Sequence, residues 1–335
     1  MNSWLVFIGL RLLRLALVLV AVALVAFALA RMSPVDPINA YLGADIARVG
    51  PEQRAVIAAQ WGLDQPVRVQ FGKWLGNILA GDLGWSVTYN ASVAEVIGSR
   101  FRASVALMGL AWILSGVFGF TLGVVAGTWQ GGWADRIIRV YAYVLASTPT
   151  FWIAILLVMV FSVGLGWTPV CCAGPVGVLP GEVTLLERGR HLILPLVALS
   201  ILGISQIALH TRAKMMEIMR SDYVLYAQAQ GASRLDIAIR HGARNAALPA
   251  ITVLFASLGE LFGGSVLAEQ VFAYPGLGRA TIEAGLRGDV PLLLAITLFT
   301  TLFVSLGNTI ADALYRLVDP RMADIGSGAA QGHGS

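Results

Sequence analysis

Residues 12–30 read LLRLALVLVAVALVAFALA, and apolar runs of this kind recur along the chain. A stretch of ~18 or more such residues is long enough to cross ~30 Å of hydrocarbon as a helix. The recurrence restricts the chain to a polytopic helical membrane protein. Composition agrees: 57% of the 335 residues are hydrophobic and 13% are charged, with a mean hydropathy of +0.75. A soluble globular protein of this length needs far more polar surface.

Six spans follow, near residues 12–30, 103–127, 137–165, 192–209, 248–267 and 292–314. Basic residues in the short connections set their orientation. Arg11 and Arg14 precede the first span, and Arg136 and Arg139 lie between the second and third. Arg212, Lys214, Arg220, Arg234, Arg240 and Arg244 lie between the fourth and fifth, and Arg316 and Arg321 follow the sixth. With six alternating spans all four segments share one side, so that side is cytoplasmic and both termini are inside. The segment from Arg31 to Arg102 then lies outside, where its basic and acidic residues nearly cancel. A competing reading takes Arg11, Arg14 and the ALA at 28–30 as a cleavable signal, which would leave five spans. The net charge of +4 lies mostly beside the spans and is absorbed by this orientation, so no nucleic-acid site is read.

Cys171 and Cys172 are the two cysteines and are adjacent. Neighbouring cysteines rarely bridge, so two loop thiols are expected and no disulfide framework. A soft metal contact is the sharper alternative, but nothing nearby completes a ligand set. His191, His210 and His241 are spread without metal-ligand spacing. Pro149 interrupts the third span. Gly116, Gly119, Gly123 and Gly127 give small-xxx-small spacing in the second, which lets helix backbones approach closely in lipid. The end, GSGAAQGHGS, has no apolar pattern and is expected to be disordered, with His333 incidental.

One stretch breaks the apolar rule. RSDYVLYAQAQGASRLDIAIRHGARNAALP, residues 220–249, carries four arginines, two aspartates and a histidine. It falls in the largest cytoplasmic loop. Ser221 or Asp222 can cap a helix running through Tyr226, with the small Ala227 and Ala229 on its surface. Gly231 fits a left-handed helix end. Ser233 can cap a second helix before Leu248-Pro249 opens the next span, since proline is tolerated in a first helical turn. The result is a helix–Gly–helix elbow, a shape that suits docking into a groove on a soluble partner; the plainer alternative is a solvated loop.

This elbow resembles the cytoplasmic coupling loop, often called the EAA loop, of permease subunits in binding-protein-dependent ABC importers. More narrowly, Ala227-Gln228-Ala229-Gln230-Gly231 followed by Arg240-His241, Arg244-Asn245-Ala246 and Leu248-Pro249 is similar to the dipeptide, oligopeptide and nickel permeases. Gln228 and Gln230 stand where that subfamily usually has arginine and lysine, and the glutamate of the wider motif is absent. Residues 62–86 are similar to the external segment of the first of two permeases in such systems. Residues 269–291 resemble the external loop after the fifth span, and 308–321 the C-terminal end.

The resemblance implies an all-α membrane protein with the six-helix type I ABC importer permease fold and an external segment after the first helix. Its parts are an N-terminal helix (1–30), the external segment (31–102), a core (103–314) holding the coupling loop (220–249), and a cytoplasmic tail (315–335). The implied location is the bacterial inner membrane. The implied partners are a second permease, two ATP-binding subunits and a periplasmic or lipid-anchored substrate-binding protein, besides membrane lipid. No cofactor is implied. The chain lacks a Gly-x-x-x-x-Gly-Lys-Ser/Thr phosphate loop, so energy has to arrive from another polypeptide. Ser221, Asp222, Tyr226, Ala227, Ala229, Gly231, Arg240, His241, Arg244 and Asn245 are the expected coupling residues.

Polar groups in or near spans are candidates for a pathway, because leaving them in lipid is costly: Gln206, His210, Glu260, Glu269, Asn308 and Asp312. Glu260, beside Gly259, Gly263 and Gly264, is the leading one. Its carboxylate favours a cationic or amine-bearing solute. The stretch 259–279 resembles nickel-type permeases, so nickel or a small metal chelate is the expected cargo, with peptides as the alternative. An intramembrane enzyme is disfavoured. No H-E-x-x-H or G-x-S-x-G occurs, and Ser205 and His210, five apart, face poorly on a helix. A passive channel or scaffold does not need such an elbow.

Overall fold

The computed structural model describes residues 2–32, 50–61, 65–178 and 181–318. The expected disordered end, with His333, and much of the external segment after residue 32 lie outside the described residues. In chain order the elements are α1 (Asn2–Met32), α2 (Pro51–Trp61), α3 (Val67–Leu79), the short strands β1 (Trp85–Ser86) and β2 (Ala91–Ser92), α4 (Val93–Thr128) and α5 (Trp133–Ala146). Then come α6 (Thr150–Leu157), continued by a π-helix at Val158–Gly164, and α7 (Leu185–Met219). The elbow follows as α8 (Asp222–Ala229), α9 (Arg234–Ile237), a π-helix at Ala238–Ala243 and α10 (Arg244–Ala256). The last are α11 (Leu258–Val271), α12 (Leu277–Arg287) and α13 (Val290–Val318).

By length and composition four of these helices can cross a membrane, and six spans result when each of two bent pairs counts as one. The bent pairs are the third and fifth expected spans. Between α5 and α6 the chain turns by 106°. Ser147 and Thr148 there donate their hydroxyls back to the carbonyls of Tyr143 and Val144, and Pro149, which has no N–H, stands as the N-cap of α6. Between α10 and α11 the bend is 52°. The Leu254 carbonyl at that break accepts from Trp112 Nε1 and Ser257 Oγ, both at 2.8 Å. The fourth span is longer than expected because a Thr184–Glu187 capping box starts α7 at Leu185.

The chain packs as two units. In the first, residues 1–104 and 275–305, α3 lies on α1 through Phe27, Phe71 and Trp74, with ring centroids 5.3–5.7 Å apart. The antiparallel β1–β2 pair leads into α4. Val93, Val96 and Ile97 of α4 form a core with Leu277, Ala280 and Ala284 of α12 and Leu292, Ala295 and Ile296 of α13. Ser104 Oγ accepts the Leu277 N–H at 2.7 Å, satisfying one free donor at the start of α12. Gly288, left-handed at φ +68°, ends that helix.

Asp289 then ties the strands down. Its Oδ2 accepts from Ser86 Oγ at 2.7 Å and from the Thr88 N–H at 2.9 Å, and Asp289 and Ser86 are both buried. Beside it Tyr89 donates to Glu283 at 2.5 Å, and Arg279 does so at 2.7 Å. Burial and the Glu283 carboxylate push the Tyr89 phenol up to about 12, so it remains a donor at neutral pH. Asp289→Ala leaves the buried Ser86 hydroxyl and the half-buried Thr88 N–H without an acceptor, about 1–3 kcal/mol for the buried one. The expected result is earlier thermal unfolding in detergent and faster proteolysis within residues 80–92; unchanged behaviour in both would refute this role for the carboxylate.

The second unit comprises residues 105–274 and 306–335. Its centre is α7 packed on α4. A Cβ added at Gly119 would meet Ile207 Cβ at 2.8 Å and the Ile204 carbonyl at 2.9 Å. At Gly123 it would meet Thr211 Cβ at 2.5 Å and the Ala208 carbonyl at 2.7 Å. Gly127 sits equally close to Met215, whereas Gly116 faces Leu254. Three of the four glycines therefore form one seam on α7, as the spacing suggested. Near the other end of α7, Leu194 and Ala198 pack with Ile153, Ala154, Leu157 and Phe272.

The expectation for the cysteines is overturned: Cys171 and Cys172 are disulfide-bonded to each other. Their backbone is held in an unusual turn. Cys172 is left-handed at φ +77°, and its N–H donates to the Phe272 carbonyl at 2.8 Å. His191 Nδ1 donates to the Cys171 carbonyl at 2.7 Å. Among the described residues no group of three or more His, Cys, Asp or Glu could hold a metal ion.

Candidate functional site

Two places in the second unit gather the predicted site residues. The first is the elbow. Ser221 occupies the N-cap of α8, but its hydroxyl donates back to the Ile218 carbonyl at 2.6 Å instead of capping the new helix. α8 closes with two bonds, Gly231 N–H to the Gln228 carbonyl at 2.9 Å and Ala232 N–H to the Ala227 carbonyl at 3.1 Å. This is a Schellman motif, and it requires the left-handed φ of +85° observed at Gly231. Ser233 accepts from the Asp236 N–H at 3.2 Å and starts α9, as expected. Arg240 then pairs with Asp236 at 2.7 Å on an exposed face.

The second arm differs from expectation. Leu248-Pro249 opens no new span, because helix runs from Arg234 through the π-helix to Ala256, with Pro249 inside α10. A proline there removes the N–H that would reach the carbonyl four residues back, and its ring crowds that carbonyl. Ala227 is also corrected. It is half-buried against the elbow's core, while Ala229 is exposed, because residues two apart on a helix point in opposed directions.

That core contains Val224, Ile237, Ala238 and Ala246 of the elbow with Met215 and Ile218 of α7. Met215 is fully buried. A Cβ on Gly242 of the elbow would lie 2.6 Å from its Cε, and Gly127 of α4 presses on its Cβ. Met215, with Ile218 one turn on, thus seats the elbow on α7. Tyr223 links the two arms, its ring 6.4 Å from His241 and its hydroxyl 3.5 Å from Asn245 Nδ2. Neither Met215 nor Tyr223 was flagged by sequence pattern. Asp222, Tyr226, Arg240, His241, Arg244 and Asn245 are exposed. Around them lie the exposed apolar side chains of Leu225, Leu235 and Ile239, and Tyr226 is 67% exposed. Exposed apolar side chains grouped in this way suit a contact surface.

The second place is on α7 and α11. Gln206 Nε2 donates to Glu260 Oε2 at 3.2 Å, at a small depression also lined by Thr150, Ser257, Leu199 and Gly264. Glu260 lies in the first turn of α11 and is exposed, where the positive end of the helix favours a carboxylate. His210, one turn from Gln206, donates Nδ1 to the Gln206 carbonyl at 3.0 Å. Asn308 is exposed and Asp312 half-buried on α13. Glu269 is fully buried and so opens onto no surface.

A family model described as binding-protein-dependent transport system inner membrane component matches residues 119–324, and the model of its N-terminal part matches 4–110. The chain belongs to this permease family. The permease is 33% identical to the oligopeptide transport system permease protein AppB of Bacillus subtilis, over 91% of this chain and 95% of that one. It is 35% identical to the di/tripeptide permease DppB of Pseudomonas aeruginosa (88% and 92%) and 33% identical to the glutathione permease GsiC of Salmonella paratyphi A (92% and 96%). Its fold matches an inward-facing structure of the MetNI methionine ABC transporter with a TM-score of 0.55, at 16% identity, over 68% of this chain and 97% of that one. The type I permease architecture expected from the elbow is therefore present.

The expected cargo is not supported. These relatives are named for peptides or glutathione, not nickel. Glu260 does not require nickel, because a lone carboxylate attracts an ammonium group as readily as a metal.

Proposed function

We propose that this permease forms half of the translocation pathway of an ATP-driven peptide importer in a bacterial inner membrane. The observation that carries the substrate is the near-full-length similarity to permeases named for peptides. In this reading both termini and the elbow face the cytoplasm. The exposed Tyr226, Leu225, Leu235 and Ile239, with Ala229 and the polar Asp222, Arg240, His241, Arg244 and Asn245, dock on an ATP-binding subunit. A second permease completes the pathway, and an external binding protein delivers the peptide. Closure of the ATPases moves the elbow, and α7 carries that motion to the bundle.

Glu260 supplies the pathway's negative charge. A peptide brings an α-ammonium, and a carboxylate beside an amide donor holds it without trapping it. Asn308 is the further polar candidate. The test is reconstitution of the four-subunit complex with its binding protein, comparing uptake of dipeptides, longer peptides and nickel chelates. Peptide uptake supports the reading, and uptake of chelates alone overturns it. In the same vesicles Glu260→Gln is expected to lower peptide uptake about tenfold, the effect of losing one favourable charge interaction of ~1.4 kcal/mol. Wild-type uptake by Glu260→Gln would remove Glu260 from the pathway and leave the importer assignment standing.

A further inference from the structure

Above the elbow a buried ion pair joins α5 to α7. Asp135 in the first turn of α5 is 0% exposed. Its Oδ1 accepts from Arg212 Nε at 2.5 Å, and its Oδ2 accepts from Arg212 Nη2 at 3.0 Å and from the Gly131 N–H at 2.9 Å. Arg139 approaches the same carboxylate at 3.6 Å. Arg212 is largely enclosed, with 15% of its side chain exposed. A two-pronged contact between a guanidinium and a carboxylate fixes direction as well as distance. The pair therefore holds α5 and α7 in one relative orientation.

One turn of α7, Arg212 to Met215, meets three other elements. The Arg212 carbonyl and Met215 Cβ lie against Gly127 of α4, Met215 Cε lies against Gly242 of the elbow, and the Arg212 guanidinium grips α5. Just below, Arg220 Nη2 donates to Gln130 Oε1 at 3.1 Å, in the turn between α4 and α5. The contacts at Gly127 and Gly242 involve no charged group. The ion pair cannot slide without leaving the buried Asp135 carboxylate uncompensated, which is costly.

We propose that Asp135 is a positioning residue for energy coupling: through Arg212 it obliges α5, and the bend at Pro149 beyond it, to follow α7 when the elbow is displaced. The inference rests on the importer reading above. Physical contiguity is only the first requirement for such a route, and the second is that breaking it changes coupling.

The experiment uses the complete reconstituted complex, with ATP hydrolysis and peptide uptake read together. Asp135→Asn is expected to assemble and hydrolyse ATP while uptake per ATP falls about tenfold, within the usual range of coupling between sites. Asp135→Glu, which keeps the charge, should recover most of it. A loss of yield with uptake per ATP unchanged would show the pair to be structural only and overturn the proposal. Should Asp135→Asn not accumulate, Arg212→Lys keeps the charge, loses the two-pronged contact and carries the same test. Accumulation of neither variant also counts against the proposal, since it marks the pair as a folding requirement. Absence of ATP-driven uptake by the wild-type complex would instead sink the importer reading itself.

Discussion

Gly123→Val is expected to abolish accumulation of the folded permease. Even a single methyl at this position would lie 2.5 Å from Thr211 Cβ and 2.7 Å from the Ala208 carbonyl. Neither neighbour is the free end of a flexible side chain, so α4 and α7 have to separate. Overpacking a well-filled interior costs about 1–3 kcal/mol where side chains can yield, and here the backbone itself is the obstacle. Separation would also disturb the bond from Ser115 Oγ to the Ser200 carbonyl, now 3.0 Å, and the contact of Ser115 with Gly203. Helices in lipid associate by close packing and hydrogen bonding, so nothing replaces the lost fit. The measurement is membrane yield and elution profile in detergent. Gly109→Val, on the same helix with nothing within 4 Å of its added Cβ, is the matched control and should behave as wild type. A normal profile for Gly123→Val would mean that the seam is not tightly closed.

Gly231→Val should have the second largest effect, on function and not on yield. Gly231 has φ +85° and open space around it, so the penalty is conformational and not steric crowding. A left-handed backbone costs an ordinary L-residue roughly 1–2 kcal/mol, and a β-branched residue resists it most. The two bonds that end α8 would be lost together, and the angle between the elbow's arms with them. Membrane insertion is settled elsewhere in the chain, so the variant should accumulate. In the reconstituted importer it should show ATP hydrolysis that no longer drives peptide uptake. Gly231→Asn, which tolerates the left-handed region better, should retain more. Normal transport by Gly231→Val would show that the elbow's angle is irrelevant to coupling.

What sequence revealed and what it concealed divide along physical lines. The spans were readable because lipid imposes a long apolar pattern, and the glycine seam because close approach needs residues without side chains. Gly231 and Ser233 were readable because helix ends have narrow chemical requirements. The bends at Pro149 and Ser257 were half-visible: a proline marks a break but not its angle, and Ser257 looks like any small residue in a span. Met215 escaped notice because a buried methionine in an apolar run carries no distinguishing pattern. Asp135 escaped because its partner lies 77 positions away. The bridge between Cys171 and Cys172 goes with a left-handed Cys172 in a turn held by Phe272 and His191, and neither of those two residues is near it in sequence.

The Schellman closure of α8, described above as a local hydrogen-bond pattern, bears on the thermodynamics of assembly. A segment that already holds its bound shape has little disorder left to surrender on association. In the importer proposed above, a partner seated on Tyr226 and Leu225 meets a finished surface, so less of its binding free energy is spent on ordering the elbow.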